Sequence, residues 1–180
     1  MALALREIDS PMENRRSSPP YFVLVLAWLA FAAYVWLTAN QLPAMVATHF
    51  GAEGEPNGYQ THAGYLRFTL IFGAAVPAFV TATFLVTRLG NGWGLNISNK
   101  DYWLAPERRE QPFAFVQRHG IWFALLLMVF FAGIHYTILD ANARNPASLP
   151  PSFLYGIVGP FLGATLVWVA ILVRHFRKPA

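Results

Sequence analysis

Four long apolar runs, separated by polar segments of unequal length, set the pattern of this chain. The first is Tyr21 to Ala39, uncharged throughout and preceded by Arg15, Arg16, Pro19 and Pro20. At 1.5 Å per residue such a helix reaches about 28 Å, close to the thickness of a hydrocarbon core. The second run, Phe68 to Thr87, lies between Arg67 and Arg88, whose side chains reach opposite headgroup regions from the two ends of one helix. Ala74, Ala78 and Ala82 form a small-residue stripe on it, and Pro77 removes the hydrogen bond to Gly73. The third, Ile121 to Leu139, carries Gly133 and His135 towards its far end and is closed by Asp140. The fourth, Phe153 to Val173, contains Gly159 and Gly163 at the spacing of a close-contact helix pair, with Pro160 between them. This pattern predicts an all-α integral membrane protein with four transmembrane helices, spanning about 21–39, 68–87, 121–139 and 153–173.

Composition agrees with the pattern. Hydrophobic residues make up 56% of the 180 positions and charged residues only 12%, with a mean hydropathy of +0.39. Those values lie outside the range of soluble domains. A signal peptide is the competing reading of the first run, since Ala30-Phe31-Ala32 follows two arginines, but the run is too long for one. Residues 1–20 mix charge with Ser and Pro and are expected to form a cytoplasmic tail, leaving 21–180 as a single four-helix membrane domain.

Charge fixes the expected orientation. Of the thirteen basic residues, Arg67 and Arg144 alone fall in the segments after spans one and three. Arg6, Arg15, Arg16, Arg88, Lys100, Arg108, Arg109, Arg118, Arg174, Arg177 and Lys178 fall on the other side. Short loops rich in Lys and Arg stay cytoplasmic, so an N-in/C-in bundle with both termini cytoplasmic follows. The net charge of +4 points to anionic lipid headgroups as partner rather than nucleic acid, because the cations flank apolar spans. The chain has no cysteine, which excludes disulfides, thiolate metal sites and cysteine nucleophiles.

Two polar segments are longer than the threading requires. The outer one, between spans one and two, runs from Leu42-Pro43 through His49-Phe50 and Gly54-Glu55-Pro56-Asn57-Gly58-Tyr59. Asn57-Gly58 supplies two positive φ values most readily, so a hairpin turning there is expected, with His49-Phe50 on its incoming arm. His49, Phe50, Glu53, Glu55, Asn57, Gly58 and Tyr59 are its candidate binding residues. His49, Glu53 and His135 form a weak candidate set for Zn²⁺, although no pair has the His-x-x-x-His spacing. Near the outer boundary, His135 is either a functional ionisable group or a neutral imidazole bonded to backbone, Tyr136 or Asp140.

The inner segment, between spans two and three, is expected to be partly helical and to lie in the headgroup region, with aromatics alternating with cations. Ser98 and Asp101 have capping-box spacing, Pro106 is suited to starting a turn, and Pro112 is expected to interrupt it. Asn99, Lys100, Asp101, Trp103, Arg108 and Arg109 are candidates for holding a lipid phosphate or an acidic partner; the alternative is that they only orient and anchor the chain.

The Leu-Pro, the His-Phe and the ordered run Gly54-Glu55-Pro56-Asn57-Gly58-Tyr59 resemble the bacterial membrane domain of unknown function found in the N-terminal half of SdpI-type immunity proteins. The resemblance covers about residues 25–85, and it implies a multi-pass protein of the bacterial cytoplasmic membrane. For SdpI-type proteins it implies immunity to a secreted toxin and signalling of its presence. The Asn-Pro-x-x-Gly motif of their C-terminal half is absent, so immunity does not carry over with it. The segment from Asn96 to Arg109 is similar to a subgroup of bacterial proteins sharing the outer loop. No Gly-rich phosphate loop, nucleophile elbow or zincin motif is present, so no cofactor is expected. The function expected is non-enzymatic: an extracytoplasmic peptide or a membrane protein partner is met by the outer loop, and Gly159/Gly163 offer a homo-oligomer contact. The alternatives are an enzyme with an outer-face metal or acid–base site, or a small oligomeric transporter, although no central charged residue marks a pathway.

Overall fold

A computed structural model describes residues 21–177, so the expected tail at 1–20, with Arg6, Arg15 and Arg16, and Lys178 lie outside the described residues. The chain runs α1 (Tyr21–Thr38), a 3-10 turn (Ala39–Gln41), β1 (Met45–Phe50), β2 (Pro56–Thr61), α2 (His62–Leu89), α3 (Lys100–Trp103), α4 (Glu110–Asn142), a π turn (Leu154–Val158) and α5 (Gly159–Phe176). Four of these helical segments are long and apolar enough to cross a membrane. The protein is thus mostly helical, with one two-stranded antiparallel sheet inserted between the first two spans.

Helices α2 and α4 continue beyond their apolar runs. With 33 residues α4 extends about 50 Å, well past a hydrocarbon core of about 30 Å. Pro112 does not interrupt this helix. It sits in the first turn, where its missing N–H has no intrahelical acceptor to lose. As the longest element, α4 packs against α1, α2, α5 and β1. Its seam with α1 buries Leu24, Phe31, Val35, Ile121, Ala124 and Met128. On α2 the small residue that admits a neighbour is Gly73, where a Cβ would lie 2.3 Å from the Phe31 ring. The expected alanine stripe does not pack: Ala74 and Ala82 are exposed.

Helix α5 is the least embedded span, with Phe176 at its end as its buried residue. Its lock on α4 is reciprocal: His119 Nε2 donates to the Trp168 carbonyl at 3.0 Å, and Trp168 Nε1 donates to the His119 carbonyl at 2.9 Å. The π turn precedes Pro160, whose ring removes one helical hydrogen bond, and the widened turn absorbs that loss. Gly163 faces open space, and Gly159 meets only the Leu154 carbonyl.

The hairpin is held on the ends of α1, α2 and α4. Asn142 of α4 accepts from the Ala47 N–H at 2.8 Å and donates to the Ala47 carbonyl at 2.9 Å, pairing with the strand backbone as another strand would. His62 donates through Nε2 to the Ala39 carbonyl at 2.8 Å, and Thr61 caps α2 by accepting from the Gly64 N–H. Leu42, Val46, Tyr65 and Ile138 form the small core beneath.

At the opposite end, the segment between α2 and α4 is folded onto the helix ends. Trp103 is buried with Leu95, Val116 and Phe176. The expected Ser98 capping box is absent, because Asn99 is the residue before α3 and adopts a left-handed conformation at φ 56°. Its side-chain amide donates instead to the Phe176 and Arg177 carbonyls, at 3.2 and 3.3 Å, closing the end of α5.

Replacing Asn142 by Ala strands both backbone groups of the buried Ala47. The expected cost is about 1–3 kcal/mol in detergent-solubilised protein, with loss of hydrogen-exchange protection across Val46–Thr48. Unchanged protection of those amides contradicts the clamp.

Candidate functional site

The hairpin turn lies at residues 51–55, not at Asn57-Gly58, which belong to β2. Gly51 N–H donates to the Glu55 carbonyl at 2.8 Å, and Gly54 supplies the positive φ, at 84°. Gly54 also docks the tip on the segment after α4, accepting from the Leu149 N–H at 2.8 Å. Gly58 is required for a different reason. It pairs with His49 across the sheet, and a Cβ there would lie 2.8 Å from the Cβ of His49. The register slips on both sides of this pair, leaving Thr48 on β1 and Asn57 on β2 as the extra residues of two bulges. The second bulge brings the Asn57 amide oxygen onto Nδ1 of His49. An amide oxygen only accepts, so Nδ1 carries the hydrogen of this bond.

Beneath the hairpin a cavity of about 300 Å³ opens between α2 and α4. Thr48, His49 and Gln60 descend on it from the strands, while Tyr65, Thr69 and His135 line it from the helices. Deeper in the span its wall is apolar, with Phe68, Phe72, Gly73, Phe131 and Ile134. Its volume is at the lower end of small-molecule sites, about 300–1,000 Å³.

His135 is fully buried and joins three helices. Nε2 lies 2.8 Å from Thr38 Oγ1 on α1, and Nδ1 lies 2.7 Å from the Tyr65 hydroxyl on α2. Thr38 spends its one hydrogen on the Tyr34 carbonyl, at 2.6 Å. Nε2 therefore carries the hydrogen that Thr38 accepts, and the neutral ring receives the Tyr65 O–H at Nδ1. This chain of three hydrogen bonds leaves no polar hydrogen of the node unpaired in a low-dielectric interior. The partners are neither Tyr136, which is exposed, nor Asp140, which pairs with Arg144 at 2.8 Å.

The remaining candidates separate by position. His49 lines the cavity, and Phe50 packs against the core beneath the hairpin. Tyr59 and Glu53 are exposed at the surface. Glu55 folds back into the turn, where its carboxylate accepts from the Glu53 N–H and fills the space a Cβ at Gly51 would need. The proposed metal set does not assemble: among the described residues no group of three or more His, Cys, Asp or Glu is placed to hold an ion. Of the inner candidates, Asn99 and Trp103 serve packing. Arg108 bonds the Tyr102 carbonyl, pairs with Glu107 and stacks 4.2 Å from the Tyr102 ring centroid. Lys100, Asp101 and Arg109 are exposed and do not converge with these into one site.

Sequence reading missed Tyr65, Thr38, Thr48 and Gln60. A signal existed for the first two. A tyrosine one turn into a span and a threonine at the end of another, facing a buried histidine in a third, are polar groups at matching depths.

Tyr65→Phe leaves Nδ1 of His135 without its donor and is expected to cost about 1–3 kcal/mol, read as a lower Tm in detergent. The ¹⁵N spectrum of His135 in the unaltered protein is expected to show Nδ1 as the unprotonated nitrogen. A protonated Nδ1 refutes the assigned hydrogen-bond direction.

Comparison with known proteins converges on the same region. The model of a domain of unknown function, DUF1648, matches residues 22–73, which hold every cavity-lining residue outside α4. An "Uncharacterized protein" of Archaeoglobus fulgidus is 30% identical over 131 residues, covering 70% of this chain and 69% of the relative. No solved structure matches. The chain belongs to the family that this archaeal protein represents, and its residues 22–73 match the model of DUF1648.

Proposed function

We propose that this is a non-enzymatic recognition protein of the bacterial cytoplasmic membrane, with both termini cytoplasmic and the hairpin on the outer face. Its ligand, an extracytoplasmic peptide or envelope component, meets the hairpin and the cavity below it. The observation that carries the reading is the cavity itself, roofed by a folded hairpin and lined by uncharged polar groups at that end. Resemblance to SdpI-type proteins over the first half supports a role in sensing or immunity. Orientation rests on charge: Arg67 and Arg144 sit at the hairpin end, while Arg88, Lys100, Arg108, Arg109, Arg118, Arg174 and Arg177 sit at the other.

The enzyme reading gains nothing from the geometry. Both nitrogens of His135 are engaged, Asp140 is paired, and Glu55 is folded into its own turn, so no acid–base pair converges on the cavity.

Two experiments test the proposal. Because the chain has no cysteine, single replacements report sidedness cleanly. In intact cells a membrane-impermeant maleimide is expected to label Glu53→Cys and to spare Arg109→Cys; the reverse pattern overturns the orientation. For function, a deletion strain is challenged with secreted membrane-active peptides and envelope inhibitors and complemented with the wild-type gene. Restored survival that falls at least tenfold with His49→Ala plus Gln60→Ala, at equal membrane abundance, supports recognition at this end. Equal protection by that double variant refutes it.

A further inference from the structure

The cavity has a shape and a polarity gradient that specify the class of molecule it takes. Tyr65 and Gly73 both line it and are eight residues apart on α2, so its wall runs about 12 Å along the helix. Ile138 and Phe131, on α4, span about 10 Å in the same direction. The site is therefore elongated along the spans, parallel to lipid tails. Most of its polar groups gather at the hairpin end, with Thr48, His49 and Gln60 above and Tyr65 and His135 just below, and Thr69 follows one turn deeper. Phe68, Phe72, Gly73 and Phe131 continue towards the middle of the span.

One side of this slot is open to hydrocarbon. Phe68 and Phe72, stacked on each other at 5.2 Å, form its edge and remain 54% and 44% exposed on a membrane-spanning helix. A ligand with an apolar chain thus has a lateral route from the bilayer that never exposes the chain to water.

The polar end decides the head group. No Lys, Arg, Asp or Glu lines the cavity. A phosphate or carboxylate placed there loses its hydration with no cation to compensate, which is costly in a low-dielectric site. The hydrogen-bond directions add a sign. Tyr65 has given its hydrogen to His135, so its phenol oxygen, which also meets the Thr69 side chain, is left to accept, while Thr48 and Gln60 can both donate and accept. Such a mouth is matched by an uncharged head that brings an O–H or N–H donor to the phenol oxygen and can also accept from Thr48 or Gln60.

We infer that this cavity binds a single-chain amphiphile with an uncharged, hydrogen-donating head, such as a hydroxyl or primary amide, its chain lying along α2 and α4. The assignment rests on the recognition role proposed for the hairpin end and names the ligand class of that site.

The test uses the full chain in phosphatidylcholine nanodiscs and three photoreactive probes with the same diazirine-bearing chain: a fatty alcohol, the ionised fatty acid and the headless hydrocarbon. Crosslinks are located by peptide mass spectrometry. The alcohol is expected to label the segments 65–73 and 131–138 at least fivefold more than the acid. Tyr65→Phe should cut alcohol labelling at least fivefold while hydrocarbon labelling of the same segments is retained. Thr69→Trp, which fills the slot, should abolish both, and Ile134→Trp provides an independent block from the opposite wall should the first variant fail to fold. Equal labelling by alcohol and acid overturns the head-group assignment. Labelling spread evenly over the lipid-facing residues of all four spans, or unaffected by a folded blocking variant, overturns the site. Failure here with the cellular phenotype intact removes the lipid assignment alone. Specific labelling with no hairpin-dependent phenotype removes the recognition role instead.

Discussion

The imidazole of His135 is the point on which the hairpin half of the molecule turns. Inside hydrocarbon a polar ring needs a partner at each nitrogen, since no water is at hand to replace one. Here the partners come from two other helices, so satisfying one side chain fixes the rotation and depth of α1 and α2 against α4. The edge contact of the Tyr34 ring and the stacking of Tyr65, with centroids 5.2 and 5.8 Å from the imidazole, shield the node further. Rotating α2 by even one residue carries Tyr65 away from the ring, so the arrangement specifies a single packing, which an apolar seam alone does less sharply.

The same node borders the cavity. Tyr65 bonds His135 at the top of the cavity, and Phe72 meets Phe131 of α4 edge-on at 5.5 Å lower down, so the cavity is bounded by α2–α4 contacts at both levels. The hairpin then roofs the gap. Asn142 and Gly54 tether it at both ends, and its two bulges bring Thr48 and His49 to the mouth. Residues 22–73, the extent of the family domain, contain α1, the whole hairpin and α2 as far as Gly73. That domain is thus three walls of a site whose fourth is supplied by α4.

Hydrophobic runs made the spans legible, because a run of about 20 apolar residues has few other fates. Their ends were less so, since Glu110 to Gly120 and His62 to Arg67 remain helical through polar sequence, where packing and capping rather than hydropathy decide. The hairpin was legible as a hairpin, with His49-Phe50 on the first arm, but its turn was misplaced. Asn57-Gly58 is a strong local turn signal, and the glycine answers instead to a cross-strand neighbour that sequence spacing does not display. His135 stood out as a polar residue in a span, yet its partners lie 70 and 97 residues away, beyond any local reading. In the segment between α2 and α4 the mixture of aromatics and cations was visible in the sequence, but the packing of Trp103 against Phe176 and His175 was not, since those partners lie more than 70 residues away.

The two ends of the bundle are therefore built on opposite principles. At the inner segment, Trp168, His119, Phe115, His175 and Trp103 follow one another in a run of near-parallel rings, with interplanar angles of 12°, 19°, 3° and 22°. This run crosses from α5 to α4, back to α5 at His175 and on to α3, and Asn99 bonds the last carbonyls of α5. At the hairpin end, hydrogen bonds join the helices beside an open space, and its polar groups are spent on one another in a defined direction. A protein that only needed four stable spans would gain more by filling that gap than by roofing it. Retaining a void between α2 and α4, beneath an ordered hairpin, is a structural cost for which the proposed recognition role would account.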